Sequence, residues 1–140
     1  AREVPVPARS PVQRLARFFS RTPVADLPAL ERAVPDRSRR SLFRDLQQLG
    51  YLSSYTHAGR YYTLLEGTPF DADGLWIHRG VGFSRHGTLK ETTVHLVVVS
   101  EAGRTHGELE QRLRVRVHNT LLALVRLERI ARAHVGPTYL

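Results

Sequence analysis

Residues 35–50 read Pro35-Asp36-Arg37-Ser38-Arg39-Arg40-Ser41-Leu42-Phe43-Arg44-Asp45-Leu46-Gln47-Gln48-Leu49-Gly50. On a helical period, Leu42, Phe43, Leu46 and Leu49 fall on one side, and Arg37, Arg40, Arg44 and Gln47 or Gln48 on the other. One short helix thus combines an apolar stripe for a core with a guanidinium-rich face for something negative. Pro35 ends any helix before it, Asp36 or Ser38 can cap the new one, and Gly50 suits the position just past its end. A charged face alone is usually only solvated, so the neighbours decide what it means. A short helical segment precedes it. After it, residues 51–57 and 60–64 are strand-like and flank Ala58-Gly59, which predicts a β-hairpin with a turn at its tip.

The chain has 140 residues, enough for one ordinary domain or two small ones, and its 41% apolar content supports a core. The formal charge is +8. That excess favours a polyanionic partner, nucleic acid or an acidic surface. Lys90 is the only lysine, so arginine carries the charge. Arginine suits bidentate contact with phosphate and guanine, but a GC-rich coding bias explains the ratio as well. There is no cysteine, which excludes disulfides and thiolate zinc sites and fits a reducing cytoplasm. No apolar run reaches membrane-spanning length, and residues 1–9 lack the apolar core of a signal peptide. With no methionine at its start or anywhere else, the sequence reads as a piece of a longer polypeptide.

Residues 1–10 read as an irregular basic arm. Ser10-Pro11 starts a helix through about residue 21, with Val12, Leu15, Phe18 and Phe19 inward. Thr22-Pro23-Val24 breaks it and lends a short strand to the later hairpin. Asp26 caps a second helix over 27–34, the basic helix is the third, and the hairpin follows. Residues 67–82 read as a linker, with Leu75-Trp76-Ile77 as a strand or plug at the junction. Thr88 caps a helix over 89–100, and further helices are predicted over 106–113 and 118–128. A second hairpin closes the chain over 130–140.

The halves repeat one another. Leu30-Glu31 matches Leu109-Glu110, and Val34 matches Leu113. Phe43, Leu46, Leu49 and Leu52 match Leu121, Leu124, Leu127 and Ile130 at one constant offset. Gly59 matches Gly136, Tyr62 matches Tyr139, and Arg104-Thr105 takes the place of Arg21-Thr22.

Helix, turn, basic helix and hairpin, twice over, resemble the winged helix-turn-helix superfamily across residues 10–65 and 87–140. More loosely, residues 83–89 and 116–121 look like DNA-binding segments of bacterial mobile-element proteins such as transposases. The expected fold is α+β, mainly helical: two tandem winged helix-turn-helix domains, each of three helices plus a hairpin wing. The arm is 1–10, the first domain 11–66, the linker 67–82 and the second domain 83–140.

The resemblance implies that the third helix of each domain enters the major groove and that the wing meets the backbone or minor groove. In the first domain Arg37, Arg39, Arg40 and Arg44 are then candidates for base edges and phosphates, with Ser38 and Ser41 donating to a phosphate near the helix start. His57 and Arg60 sit at its wing tip. In the second, Arg114 and Arg116 precede the helix and His118, Asn119 and Thr120 open it. Asn119 is either an adenine reader or an N-cap. Arg132 and His134 belong to the second wing. Eleven arginines face six acids before Thr68, and ten basic residues face seven acids after it. The first domain is therefore the stronger expected DNA binder, and the second is open to an RNA or protein partner.

Seven histidines are scattered with no His-Glu-x-x-His spacing, and residues 80–87 lack the Gly-Lys-Ser/Thr ending of a P-loop. No nucleophile elbow and no spaced carboxylate set appear. No metal, cofactor or catalysis is expected within this chain. Double-stranded DNA is the expected partner, with a cytoplasmic, nucleoid-associated location. The role is that of a transcription regulator or the targeting region of a larger DNA-processing protein. The alternatives are a protein-interaction scaffold of a chromosome- or replication-associated complex and a binder of structured RNA.

Overall fold

The structure, a computed structural model, describes residues 9–133 and 137–140. The first eight residues of the expected arm, and His134, Val135 and Gly136 of the expected second hairpin, lie outside them. Among the described residues the chain forms six α-helices and three small antiparallel sheets, an α+β fold.

The first half runs α1 (Pro11–Arg21), β1 (Ala25–Asp26), α2 (Leu27–Ala33), α3 (Arg39–Leu49), β2 (Tyr51–Ser53) and β3 (Tyr61–Leu64). Side-chain caps start its helices. Ser10 and Gln13 form a reciprocal capping box on α1, Asp26 Oδ1 accepts from Ala29 N at 3.0 Å, and Ser38 Oγ accepts from Ser41 N at 3.2 Å. Of the two expected caps for α3, the structure uses Ser38, and Asp36 instead forms an ion pair with Arg14. Gly50 ends α3 with φ +82°. Strand β3 lies between β1 and β2, with Ala25 opposite Tyr62 and Leu52 opposite Thr63. Leu15, Phe19, Leu30, Val34, Leu42 and Leu46 close the core. Each fully buried leucine contributes on the order of 2 kcal/mol.

The second half repeats the order: α4 (Leu89–Val98), β6 (Arg104–Thr105), α5 (His106–Leu113), α6 (His118–Arg126) and β7 (Thr138–Tyr139). Strand β7 pairs with β6 and is bridged to Arg132, as β3 pairs with β1 and β2. Tyr62 and Tyr139 are equivalent here, facing Ala25 and Arg104. Thr105 caps α5 as Asp26 caps α2, so Arg104-Thr105 corresponds to Ala25-Asp26 and not to Arg21-Thr22 as the sequence match had it. One further match fails. Leu127 is 61% exposed, because α6 ends at Arg126 and the chain turns away one residue too soon to bury it.

The stretch expected as a linker carries an ordered hairpin, β4 (Leu75–His78) and β5 (Val81–Ser84). Leu75 packs in the second half's core, and Phe83 is fully buried. The hairpin is hydrogen-bonded to the first half: Tyr55 N donates to Gly82 O at 2.9 Å, and Gly82 N to Thr56 Oγ1 at 3.0 Å. A Cβ at Gly82 would sit 2.5 Å from Cζ of Tyr55, so only glycine allows this approach. Tyr55 also packs against the second core, and its hydroxyl donates to Leu113 O at 3.1 Å. Arg112 of α5 grips Asp71 and Asp73 just before β4.

Candidate functional site

Helix α3 buries Leu42 and Leu46 and turns Arg39, Arg40, Arg44, Gln47 and Gln48 to solvent. The four arginines expected to act together are used differently. Arg37 lies before the helix and folds back onto Asp45, with Nε 3.0 Å from Oδ2 and Nη2 3.1 Å from Oδ1. Asp45 is 6% exposed on the buried side of α3, so Arg37 fixes the helix start to the helix body. Arg39 reaches Glu31 of α2 at 3.4 Å, but its side chain is 69% exposed, and such a pair yields easily to a competing anion. Arg40 and Arg44 are exposed one turn apart and form no ion pair among the described residues. Ser38 and Ser41 are joined in the cap, the Ser38 hydroxyl donating to Ser41 Oγ at 3.1 Å.

The β2–β3 hairpin is fixed to α3 by aromatic contacts. The rings of Phe43 and Tyr62 meet edge-on with centroids 5.6 Å apart, and Tyr51 closes the trio. Its tip is a 3-10 turn, His57–Gly59, in which His57, Ala58 and Gly59 all have positive φ. His57 and Arg60 are exposed there, and the His57 ring stands edge-on to Tyr61 at 5.3 Å. The structure therefore carries Arg40, Arg44, His57 and Arg60 on one helix and the hairpin packed against it.

In the second half Arg114 closes α5 in the left-handed region, φ +61°, and is exposed, as is Arg116. Val117 is the N-cap of α6 without a side-chain bond, so Asn119 does not cap the helix but lies exposed in its first turn. His118 is also exposed, and Thr120 is half-buried. The turn into α6 is held by Glu110, whose Oε2 accepts from Val117 N at 2.9 Å and lies 3.2 Å from His106 Nε2. The Val117 amide chiefly, with His106, holds this carboxyl below the usual range despite partial desolvation. His118, Asn119, Leu122 and Arg126 share the outward side, and Leu122 is 42% exposed. Arg132 is exposed beside β7, and Arg129 pairs with Glu91 at the start of α4. The Glu91 amide still donates to the Thr88 cap at 3.1 Å, while its carboxylate goes to Arg129.

Sequence reasoning passed over Asp45, whose signal is an acid on the apolar side of a helix eight residues after an arginine. It also passed over the β4–β5 hairpin, signalled by Arg79-Gly80 between apolar runs. Among the described residues no three His, Asp or Glu side chains gather as a metal site, and no helix is long and apolar enough to cross a membrane. In comparisons with known proteins, no family model, no curated protein and no solved structure matches the chain.

Proposed function

We propose that the chain is a double-stranded DNA-binding protein built of two winged helix-turn-helix units, with the first half as the principal reader. The observation that carries this reading is the pair Arg40 and Arg44. Both are exposed on the outward side of a firmly capped α3, one turn apart, with no carboxylate bound to either among the described residues. A guanidinium left unpaired on a rigid helix suits guanine edges and phosphates, since it gives up no internal partner on binding. Arg39, loosely held by Glu31, joins them, and His57 and Arg60 on the hairpin reach the flanking backbone. Arg37 acts as a positioning residue. The biological role is that of a transcription regulator or of the targeting region of a larger, nucleoid-associated DNA-processing protein.

For the second half, Leu122 favours another reading. An exposed leucine among His118, Asn119 and Arg126 suits a protein partner better than a phosphate backbone. Arg114, Arg116 and Arg132 still give this half a weaker hold on nucleic acid.

The test is duplex binding titrated with salt. Arg40→Ala with Arg44→Ala is expected to weaken binding by roughly 1–3 kcal/mol per arginine and to flatten the salt dependence. Equal affinity of the variant and the parent would remove α3 as the reader. Preference for structured RNA over duplex DNA in competition would transfer the function to RNA.

A further inference from the structure

The basic residues of the first half do not end at α3 and its hairpin. A groove of about 580 Å³ lies between the segment after α1, the β2–β3 hairpin and the tip of the β4–β5 hairpin, lined by Arg21, Thr22, Tyr61, His78 and Arg79. Among the described residues no carboxylate lines it. Arg21 and Thr22 also line a second groove, of about 310 Å³, with Arg9 and Arg17. Tyr61 also lines a third, of about 440 Å³, with Arg60 at the hairpin tip. Arg21, Thr22 and Tyr61 are shared walls, so the three grooves are neighbours. Among the described residues Asp26, in the third, is the one acid that lines them, and it is occupied in capping α2.

Of the arginines lining these grooves, Arg14 is held by Asp36 and the others have no carboxylate bound among the described residues. Arg17, Arg21, Arg60 and Arg79 are thus exposed and free for an anion, as Arg40 and Arg44 are on α3. Arg79 is also an unexpected choice. It and Gly80 form a two-residue turn with φ +50° and +81°, where asparagine, aspartate or glycine would be unstrained. The strain is held because Gly82 is locked to Tyr55 and Thr56.

We infer that these grooves form one track for the sugar-phosphate backbone of a DNA strand flanking the site that α3 reads. Arg17, Arg21, Arg79 and Arg60 take successive phosphates, and the Tyr61 ring offers a face to the sugar or base. The β4–β5 hairpin is then a third DNA-contacting element beside α3 and the β2–β3 hairpin. The inference rests on the proposed DNA binding by the first half.

The test compares the parent chain with Arg21→Ala/Arg79→Gly on random-sequence duplexes of about one and about two helical turns. Both side chains are exposed, and glycine suits the positive φ at position 79, so the melting temperature is expected not to fall. The slope of log affinity against log salt is expected to drop by about two, near 0.9 for each phosphate contact removed. The parent's gain on the longer duplex is expected to disappear. An unchanged slope and a retained gain, while Arg40→Ala/Arg44→Ala weakens binding, would overturn the track and leave the α3 reading standing. If neither double variant alters binding, both readings fall.

Discussion

Helices α3 and α6 occupy the same place in the two halves, and counting from their N-caps shows how differently they are used. Arg37 stands one residue before the cap of α3, and Arg116 one before the cap of α6. Counted from the caps, Leu42 and Asp45 fall opposite Leu121 and Leu124, one residue off the Phe43–Leu121 and Leu46–Leu124 match of the sequences, and all four are buried. In the first half the arginine is bonded to the buried acid. In the second there is no acid to receive it, and Arg116 stays exposed. The caps differ as well. Ser38 caps α3 from its own side chain, whereas α6 depends on Glu110 from the preceding helix. The first half fixes its outward helix with local polar bonds, and the second with an acid borrowed through a turn. One framework thus tolerates a polar and an apolar solution at the same buried position.

Substitution at Asp45 is the strongest way to break this comparison. Asp45→Ala leaves the Arg37 guanidinium without its partner and is expected to destabilise the chain by about 3 kcal/mol, seen as a lower denaturant midpoint. Asp45→Leu combined with Arg37→Met replaces the ion pair by apolar side chains and is expected to recover most of that loss. Failure to recover would mean that the ion pair fixes the helix start beyond its energy. At the position of Arg112 the first half has Ala33, by the match of Leu30 with Leu109. Arg112→Ala is expected to cost about 1–2 kcal/mol and to raise amide exchange in residues 71–75, because Asp71 and Asp73 lose their common partner.

Glu110→Gln keeps the size of the side chain but weakens the acceptor for Val117 N. It is expected to increase amide exchange at the start of α6 while leaving α3 unchanged. The smallest effect is a pH effect. The Arg14 guanidinium hydrogen-bonded to Asp36 lowers its carboxyl from the ordinary 3.8 to about 2. A depressed native pKa stabilises above the unfolded value and is lost as pH falls. The contribution of this pair is therefore full above about pH 4 and fades toward pH 2. Asp36→Asn is expected to remove that slope from an acid titration of stability, with little change at neutral pH.

Much of this architecture was legible because capping and periodicity are local. Ser10-Pro11, Asp26, Thr88 and the leucine spacing located five of the helix starts within a residue or two, and Ser38 stood among the candidates for α3. What escaped depends on contacts distant in sequence. Residues 67–82 hold four glycines and little periodicity, so they read as a connection, yet Leu75 is drawn into a core completed by residues around 109–130. Leu127 fits the apolar spacing, but spacing does not show where a helix stops. Arg37 and Arg40 look alike on a helical wheel, and only the burial of Asp45 separates the arginine that holds the helix from the one left for a partner.

Tyr55 gives the chain a property that neither half has alone. It belongs to the segment that joins β2 to β3, its backbone is bonded to the β4–β5 hairpin, and its ring and hydroxyl rest on the second half. The halves therefore do not behave as interchangeable beads in evolution or in protein engineering. A first half grafted onto another partner carries a tyrosine cut to fit Gly82 and Leu113, and a transplant that keeps its shape has to move these three residues together.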